Sequence, residues 1–536
     1  VKSLHNTPRT AGFILRRDLL WLLLWVVGIV VLTASFVPFI PEILGGPAEK
    51  ETLAATMKSP AMVAICGMFY GESYTNGVMY TQMMLVWVIL VAAVMNIMFV
   101  IKHTRRDEED GRLELLGSLP VGRLAGLFST VFIIFLVNVV LALLIGASMA
   151  AFQVAEIDWT GSLFFGLAVG VAGMVFAGVA AVCAQVCSSA RGATGVSFAF
   201  LGLAYLLRAA GDVAKGTENE ILAFISPLGL AERVECYATN AVWPLPVLLG
   251  MALCLFILAF ILNGQRDMGQ GFFSPRSGRA HASALLRGPW SLARRLTHPT
   301  FFAWAVAMFA FGAAYGSVFA DFTSFYETND ILRDLVGATA TSGDLLDPII
   351  ALLTVLMSML TVVPALLILF RVKTEEVNQR TEQVYSRAVS RPYNLLGYVL
   401  LAVLASCVFQ FLYAFGVWVA AAFVMPNPVS FATLIIAATS FLPAIWVFVG
   451  LGALLVGMSP RLAPLCWVLL GASFVLVYVG RVLTLPDWVM TLSPFGALPL
   501  YPTEDLSALA MVVLTLIALV LCLFGLLFYR NRNLKG

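Results

Sequence analysis

Apolar side chains run along this chain in long stretches separated by short polar ones, and from Leu19 to Tyr529 the stretches repeat with few interruptions. Each is longer than about 18 residues, enough for a helix to cross a hydrocarbon layer of roughly 30 Å. The pattern places helices near 19–37, 78–101, 124–150, 161–187, 194–208, 244–263, 301–320, 348–370, 395–424, 431–457, 464–483 and 506–529. The expected fold is therefore all-α and integral to a membrane, with about twelve transmembrane helices.

The polar segments carry an internal duplication. The loop after the second stretch reads Lys102-His-Thr-Arg-Arg-Asp-Glu-Glu-Asp-Gly-Arg-Leu-Glu-Leu-Leu-Gly-Ser-Leu-Pro-Val-Gly-Arg123, and the loop after the eighth reads Arg371-Val-Lys-Thr-Glu-Glu-Val-Asn-Gln-Arg-Thr-Glu-Gln-Val-Tyr-Ser-Arg-Ala-Val-Ser-Arg391. At an offset of 268, Arg105 meets Lys373, Asp107 meets Glu375, Glu108 meets Glu376, Arg112 meets Arg380, Glu114 meets Glu382, Ser118 meets Ser386 and Arg123 meets Arg391. The correspondence continues through Ser189-Ala-Arg191 and Ser459-Pro-Arg461, Ser226-Pro-Leu-Gly229 and Ser493-Pro-Phe-Gly496, and Arg266-Asp-Met-Gly269 and Arg532-Asn-Leu-Lys535. The chain divides into a first six-helix half over 1–263, a basic linker over 264–300 and a second six-helix half over 301–536. An even number of spans in each half makes the repeats parallel, related by an axis along the membrane normal.

Composition narrows the function. The 536 residues are 60% hydrophobic and only 12% charged, with mean hydropathy +0.93, against about 25% charged in ordinary soluble domains. That excludes a soluble globular enzyme, and the polar segments are too short for a catalytic domain of about 100–150 residues. The net charge of +2 conceals an asymmetry. Most of the 32 Lys and Arg residues fall on the side of the head, the two duplicated loops, the linker and the tail. Basic residues stay inside, so both termini are expected in the cytoplasm. The first stretch is a full-length span with no small-residue cleavage site after it, so it is expected to be retained. Six of the eight cysteines lie in predicted spans as small apolar residues, while Cys66 and Cys236 fall in outer loops, where a disulfide between them is one option. No cysteine or histidine spacing suggests a metal site.

The linker interleaves Arg287, Arg294 and Arg295 with Leu285, Leu286, Trp290, Leu292 and Leu296, the composition of an interfacial elbow helix whose bases meet anionic lipid. The head around Arg9, Arg16 and Arg17 is similar. The loop 104–118 suits a short surface helix, with Leu113 and Leu116 on one face. Its acids exceed what topology requires, so two readings stand: a self-paired charged turn, or a docking helix whose mixed charges fix the register of a cytoplasmic partner. Two copies favour docking, with two partner sites.

The run from Arg105 to Arg123 resembles the segment between the second and third spans of ATP-binding-cassette exporter permeases of the type-two drug-export class, in particular the polyketide-antibiotic (tetronasin-resistance-like) exporters. The resemblance extends over the chain, to twelve spans in two halves, a linker beginning Gln265-Arg-Asp-Met-Gly269 and a short basic tail. It implies a permease in a bacterial cell membrane that exports hydrophobic or amphipathic compounds and catalyses no reaction itself. It also implies that 104–118 and 373–387 are coupling helices seated on two copies of a separate cytoplasmic ATPase that binds ATP and Mg. Arg105, Asp107, Glu108, Arg112 and Glu114, with Lys373, Glu375, Glu376, Arg380 and Glu382, are then the docking residues. The second copy departs from the first at Gln379, where the first has Gly111, and at Ala388-Val-Ser, where the first has Pro120-Val-Gly.

No Gly-x-x-x-x-Gly-Lys-[Ser/Thr] occurs, so the chain has no phosphate-cradling loop of its own. The alternative, a proton-coupled twelve-helix carrier, needs ionisable groups inside the membrane. The predicted spans hold amides at Gln82, Asn96, Asn138, Gln185 and Gln410, and arginines at outer ends, Arg208 and Arg481. A membrane enzyme finds little support in the acidic loop 321–347, which lacks an Asp-x-Asp spacing. Along the second span Gln82, Met83, Met84, Trp87 and Asn96, with Met357 and Met359 in the eighth, offer an adaptable surface for bulky apolar cargo. Glycines 166, 170, 173 and 178 suit close helix contact. The segments 211–243 and 484–505, each with Ser-Pro-[Leu/Phe]-Gly, are expected as short re-entrant helices flanking an outer gate around Pro227 and Pro494.

Overall fold

The computed structural model describes residues 4–41, 50, 53–54, 57–58, 60–71, 73–112, 120–267, 270–272, 281, 286, 288–328, 346–387, 389–425, 428–482 and 487–532. Every regular element among them is helical. Twelve helices are long and apolar enough to cross a membrane: Thr7–Phe39, Asn76–Glu109, Ala125–Ala151, Trp159–Val186, Ala190–Val213, Pro244–Gln265, Pro289–Ser317, Leu346–Val377, Arg391–Val424, Phe431–Met458, Pro460–Tyr478 and Ala508–Asn531. Each falls on one of the twelve apolar stretches, here numbered spans one to twelve. Several extend by turns into polar sequence. Spans one, six and nine start with a proline in the first helical turn, where its missing N–H costs nothing. Span ten is interrupted at Phe441, beside Pro443, into Phe431–Ser440 and Leu442–Met458.

The chain forms two compact units, Val1–Gly278 and Arg279–Gly536. In the first, span four is the hub and packs on spans two, three, five and six. Its small side chains let backbones approach: a Cβ on Gly166 would strike the Ala142 carbonyl, and one on Gly173 would lie 2.6 Å from Asn138 Oδ1 and 2.8 Å from Asn96 Nδ2. Those two asparagines bond reciprocally across spans two and three, at 2.7 and 3.2 Å, and each also donates to its own helix. In the second unit the largest helix pairings are seven with nine and ten with twelve, and an apolar core runs from Val355 through Phe409 and Phe448 to Tyr529.

Each unit presents two polar faces. In the first, the head, the two–three and four–five loops and the end of span six share one face, which we call the basic face. His5 and Asn6 reach the Pro120 carbonyl there, at 2.7 and 2.8 Å. On the opposite face the Asn76 amide donates to Glu156 Oε2 at 2.8 Å, and Tyr237 pairs with Ser162 at 2.8 Å.

Two expectations are corrected. The elbow helices are not separate elements among the described residues. Pro289–Thr328 is one helix with Pro299 inside it, and Thr7–Ser35 is another. Trp290 lies over Gly397, donates its indole N–H to the Tyr393 carbonyl at 3.0 Å and stacks on Tyr393, so this segment packs on span nine. Both expected re-entrant segments contain a short helix, Ile221–Ile225 in the first and Asp487–Met490 in the second, but only in the first is the Ser-Pro-x-Gly motif itself helical. Pro227–Glu232 follows Ile221–Ile225, with Ser226 Oγ accepting from the Leu228 amide. Ser493-Pro-Phe-Gly496 is a turn, because Pro499 stands where Glu232 stands in the first unit and supplies no amide to continue a helix. Both motifs use their glycine identically: a Cβ on Gly229 would strike the Ala223 carbonyl and one on Gly496 the Met490 carbonyl. Cys66 and Cys236 are free thiols, not a disulfide. The acidic outer loop over 329–345 lies outside the described residues.

Candidate functional site: a duplicated charge clamp on the basic face

Span two does not stop at the end of its apolar sequence. Its helix continues from Ile101 through a wider turn at Lys102–Arg106 into Asp107–Glu109, and terminates where Gly111 adopts φ +72°. Span eight repeats this through Arg371–Val377 and terminates at Gln379, φ +58°. The Gly111 amide closes on the Glu108 carbonyl at 3.1 Å, and the Gln379 amide closes on the Glu376 carbonyl at 2.9 Å. The Gln-for-Gly departure in the second copy thus keeps the left-handed turn, at a steric cost on the order of 1 kcal/mol.

These extensions carry acids into contact with an arginine just beyond the last span of each unit. Glu108 accepts two hydrogen bonds from Arg266, both 2.7 Å, and one from Arg105 at 3.1 Å. Arg266 also donates to Gln185 Oε1 at the end of span four, at 2.7 Å, and its carbonyl accepts from Arg123 at the start of span three. In the second unit Glu376 pairs with Arg532, which donates to the Val456 carbonyl at the end of span ten at 3.0 Å. The Arg532 carbonyl accepts from Arg391 at 2.7 Å. One arginine in each unit therefore ties together the ends of four helices, and the three side chains that do it are those matched by the duplication.

A second tier braces the first. Asp107 accepts from Arg17 and Arg112, both at 2.7 Å, while Asp18 meets His103 Nε2 at 2.5 Å and Lys102 Nζ at 2.7 Å. Arg17 also donates to His103 Nδ1 at 2.6 Å. In the second unit Glu375 pairs with Arg371 at 2.7 Å and Arg380 at 3.7 Å. Arg371 thus fills the place of His103.

The residues expected to face a partner divide accordingly. Arg105 is 1% exposed, and Asp107, Glu108, Glu375 and Glu376 also turn their carboxyl groups inward. Arg105 also donates to the Ser188 and Gln270 carbonyls at 2.7 and 3.2 Å. These five are engaged with groups of their own chain. A charge at the edge of an apolar bundle is costly alone and pairs with the nearest opposite charge of its own chain. Arg112, Arg380 and Glu382 are exposed, Lys373 is half-buried, and Glu114 lies outside the described residues. The sequence reading did not assign Arg17, Asp18, His103, Arg266 or Arg532 to the site, although Arg266 and Arg532 were matched in the repeat. A cavity of about 470 Å³ opens beside the clamp, bounded by Thr10, His103, Glu108, Arg123, Gln185 and Arg266.

Of the expected cargo-facing residues, Gln82 is tied to the one–two loop, donating to the Met57 and Gly67 carbonyls at 3.0 Å each and accepting from Tyr74 at 2.8 Å. Asn96 is engaged with Asn138, and Met357 and Met359 are buried in the cores of the second unit. Met83 and Met84 are half-buried and Trp87 is 44% exposed. Met84, Trp87, Val91, Val94 and Met98 follow one another at helical spacing along a partly or fully exposed face of span two. Pro227 starts the cap helix of the first unit, and Pro494 sits in the turn of the second.

The comparisons agree with this architecture. The family described as "Multidrug efflux system permease Rv1217c, C-terminal domain" matches residues 8–262 and 286–530. A multidrug efflux system permease protein, Rv1217c of Mycobacterium tuberculosis (strain ATCC 25618 / H37Rv), is 32% identical over 544 residues that span 99% of this chain and 97% of that protein. Twelve apolar helices, an all-helical fold and a match over both halves lead to one assignment: the chain is a multi-pass membrane protein belonging to the multidrug efflux system permease family.

Proposed function

We propose that this chain is the membrane permease of an ATP-driven exporter of the type-two class, moving hydrophobic or amphipathic, drug-like compounds out of a bacterial cell. Its energy comes from a separate cytoplasmic ATPase present in two copies, with the basic face and both termini in the cytoplasm. The observation that carries this reading is the duplicated clamp. A coupling element must transmit displacement from a peripheral contact to several helices at once. In each unit one buried arginine joins the extension of the second span to the ends of the fourth and sixth and the start of the third. A push on the exposed tip, at Arg112 in the first unit and Arg380 and Glu382 in the second, then moves the bundle and not merely a loop. The buried members are positioning residues and the exposed ones are the contact. Met84 and Trp87, with the exposed stripe that continues them, are the cargo-facing part of span two in this reading.

The test is drug uptake into inverted vesicles that contain the chain and its ATPase. Uptake that persists with a protonophore and stops when ATP is withheld supports the reading. Uptake that collapses with the proton gradient and ignores ATP sinks it and favours a proton-coupled carrier. Polyketide antibiotics are the first cargo to try.

A further inference from the structure

The clamp of the first unit leaves a polar cavity of about 470 Å³ beside it, and three groups on the cavity wall are uncommitted. Arg123, just before span three, donates to the Arg266 carbonyl and meets no carboxylate among the described residues. Asp267, the residue after Arg266, is exposed and meets no cation among them. Asn263, on the last turn of span six, makes no side-chain hydrogen bond among them. The other charged groups of the wall are engaged: Arg266 with Glu108, and His103 with Asp18. The wall therefore offers one spare positive and one spare negative charge. The bond from Arg123 to the Arg266 backbone holds the two near each other, yet they form no ion pair.

An apolar seam reaches this cavity from the spans. Spans three and six both pack on span four. Between them Phe128 and Phe260 meet with ring centroids 6.1 Å apart. Phe128 follows the cavity residue Leu127 and is 40% exposed, and Phe260 lies one turn before Asn263 on the same side of span six. Ile261 beside it is exposed as well. A ligand seated in the cavity can lay hydrocarbon along this seam.

The second unit is built differently at the same positions. Three residues before the matched arginines stand Asn263 and Tyr529, three residues after the matched Arg123 and Arg391 stand Gly126 and Asn394, and Asn533 replaces Asp267. Tyr529 is fully buried, and its hydroxyl meets that of Tyr385 at 2.9 Å. The Tyr385 hydroxyl also accepts from Asn394 at 3.1 Å. Larger side chains thus bond to one another at positions that line open space in the first unit.

We propose that the cavity holds the headgroup of a zwitterionic phospholipid of the phosphoethanolamine class. Its phosphate sits on Arg123, its primary ammonium on Asp267 and the Asn263 carboxamide oxygen, and its acyl chains run along Phe128 and Ile261. A net-neutral headgroup suits a wall whose charges balance, whereas a purely anionic one leaves Asp267 facing negative charge. A phosphocholine headgroup carries the same charges but has no N–H to donate. The bound lipid bridges the start of span three and the end of span six, and it does so in the first unit only.

The test is native mass spectrometry of the full-length protein, delipidated in detergent and titrated with phosphatidylethanolamine, phosphatidylcholine or phosphatidylglycerol of identical acyl chains. It needs neither cargo nor ATP, so its outcome is independent of the exporter reading. The expected result is retention of the ethanolamine lipid about tenfold above either of the others, the factor for one charge-assisted hydrogen bond. Asp267→Asn removes that preference, and Asn263→Tyr, which installs the second unit's residue, removes the retention. Equal retention of the three lipids by wild type, a preference that survives in Asp267→Asn, or retention unchanged in Asn263→Tyr overturns the site. Soluble phosphoethanolamine that displaces the lipid at equal concentration overturns the lipid as the source of the headgroup. Asp267 is exposed and its replacement disturbs no packing, so Asp267→Asn decides alone should Asn263→Tyr fail to fold.

Discussion

Replacing Glu108 by glutamine removes the carboxylate that neutralises both Arg266 and Arg105 and leaves the steric fit nearly intact. If the pair were an exposed surface contact the loss would be about 0.2–1 kcal/mol. The side chains of Glu108 and Arg266 are instead only 5% and 8% exposed and meet at 2.7 Å. Breaking one partner of such a buried pair costs about 3–5 kcal/mol, because the other charge stays buried uncompensated. Arg266 keeps its bonds to Gln185 and the Gln270 carbonyl, which points to the lower end of that range. At roughly 2–4 °C per kcal/mol, the thermal midpoint of the purified protein falls by about 6–12 °C. The double variant Glu108→Gln/Arg266→Gln removes both charges together and falls by less than the sum of the singles, with a coupling of about 2 kcal/mol. Glu382→Gln, on an exposed site, leaves the midpoint in place. A Glu108→Gln midpoint within about 1 °C of wild type, or singles that add without coupling, would refute the clamp.

Further outcomes follow from the same geometry. Gly111→Val forces a β-branched residue into the left-handed region with open space around its Cβ, so backbone strain alone destabilises it by about 1–2 kcal/mol, read in the same thermal assay. Asn96→Leu strands the Asn138 carboxamide and costs about 1–2 kcal/mol, and adding Asn138→Leu recovers part of it. Gly229→Ala and Gly496→Ala drive a methyl group onto the Ala223 and Met490 carbonyls; both raise protease cleavage of the segment after span five or eleven, and unchanged cleavage would contradict the packing. Arg532→Gln lowers the thermal midpoint and drug export together, whereas Arg380→Ala lowers export and spares the midpoint.

The clamp also explains why the duplication was easy to detect and hard to interpret. The seven matched loop positions stand out because they keep residue type across half the chain. Pairing within a unit and pairing with a partner preserve charge equally well, so the pattern alone does not separate them. The deciding fact is that Arg266 and Arg532, 158 and 156 residues from their acids, return to the same face. Asn263 and Asp267 were passed over for a similar reason. Neither lies in the apolar middle of a span, and their place beside Arg123 depends on how the ends of spans three and six come together.

The twelve spans and their all-helical character were legible in the residues themselves, because helix length and apolar composition are local properties that a membrane selects directly. The duplicated Ser-Pro-x-Gly motif was legible too. Its divergence into a helix in one unit and a turn in the other depends on a proline three residues past the motif. The merging of the expected elbows into spans one and seven, the inward turn of Arg105, Asp107, Glu108, Glu375 and Glu376, and the placing of Asp267 near Arg123 were decided only by tertiary structure. The reason is physical: whether a charge faces water, a partner or a neighbouring helix is set by which distant segments share its low-dielectric surroundings, and no local stretch of sequence contains that distance.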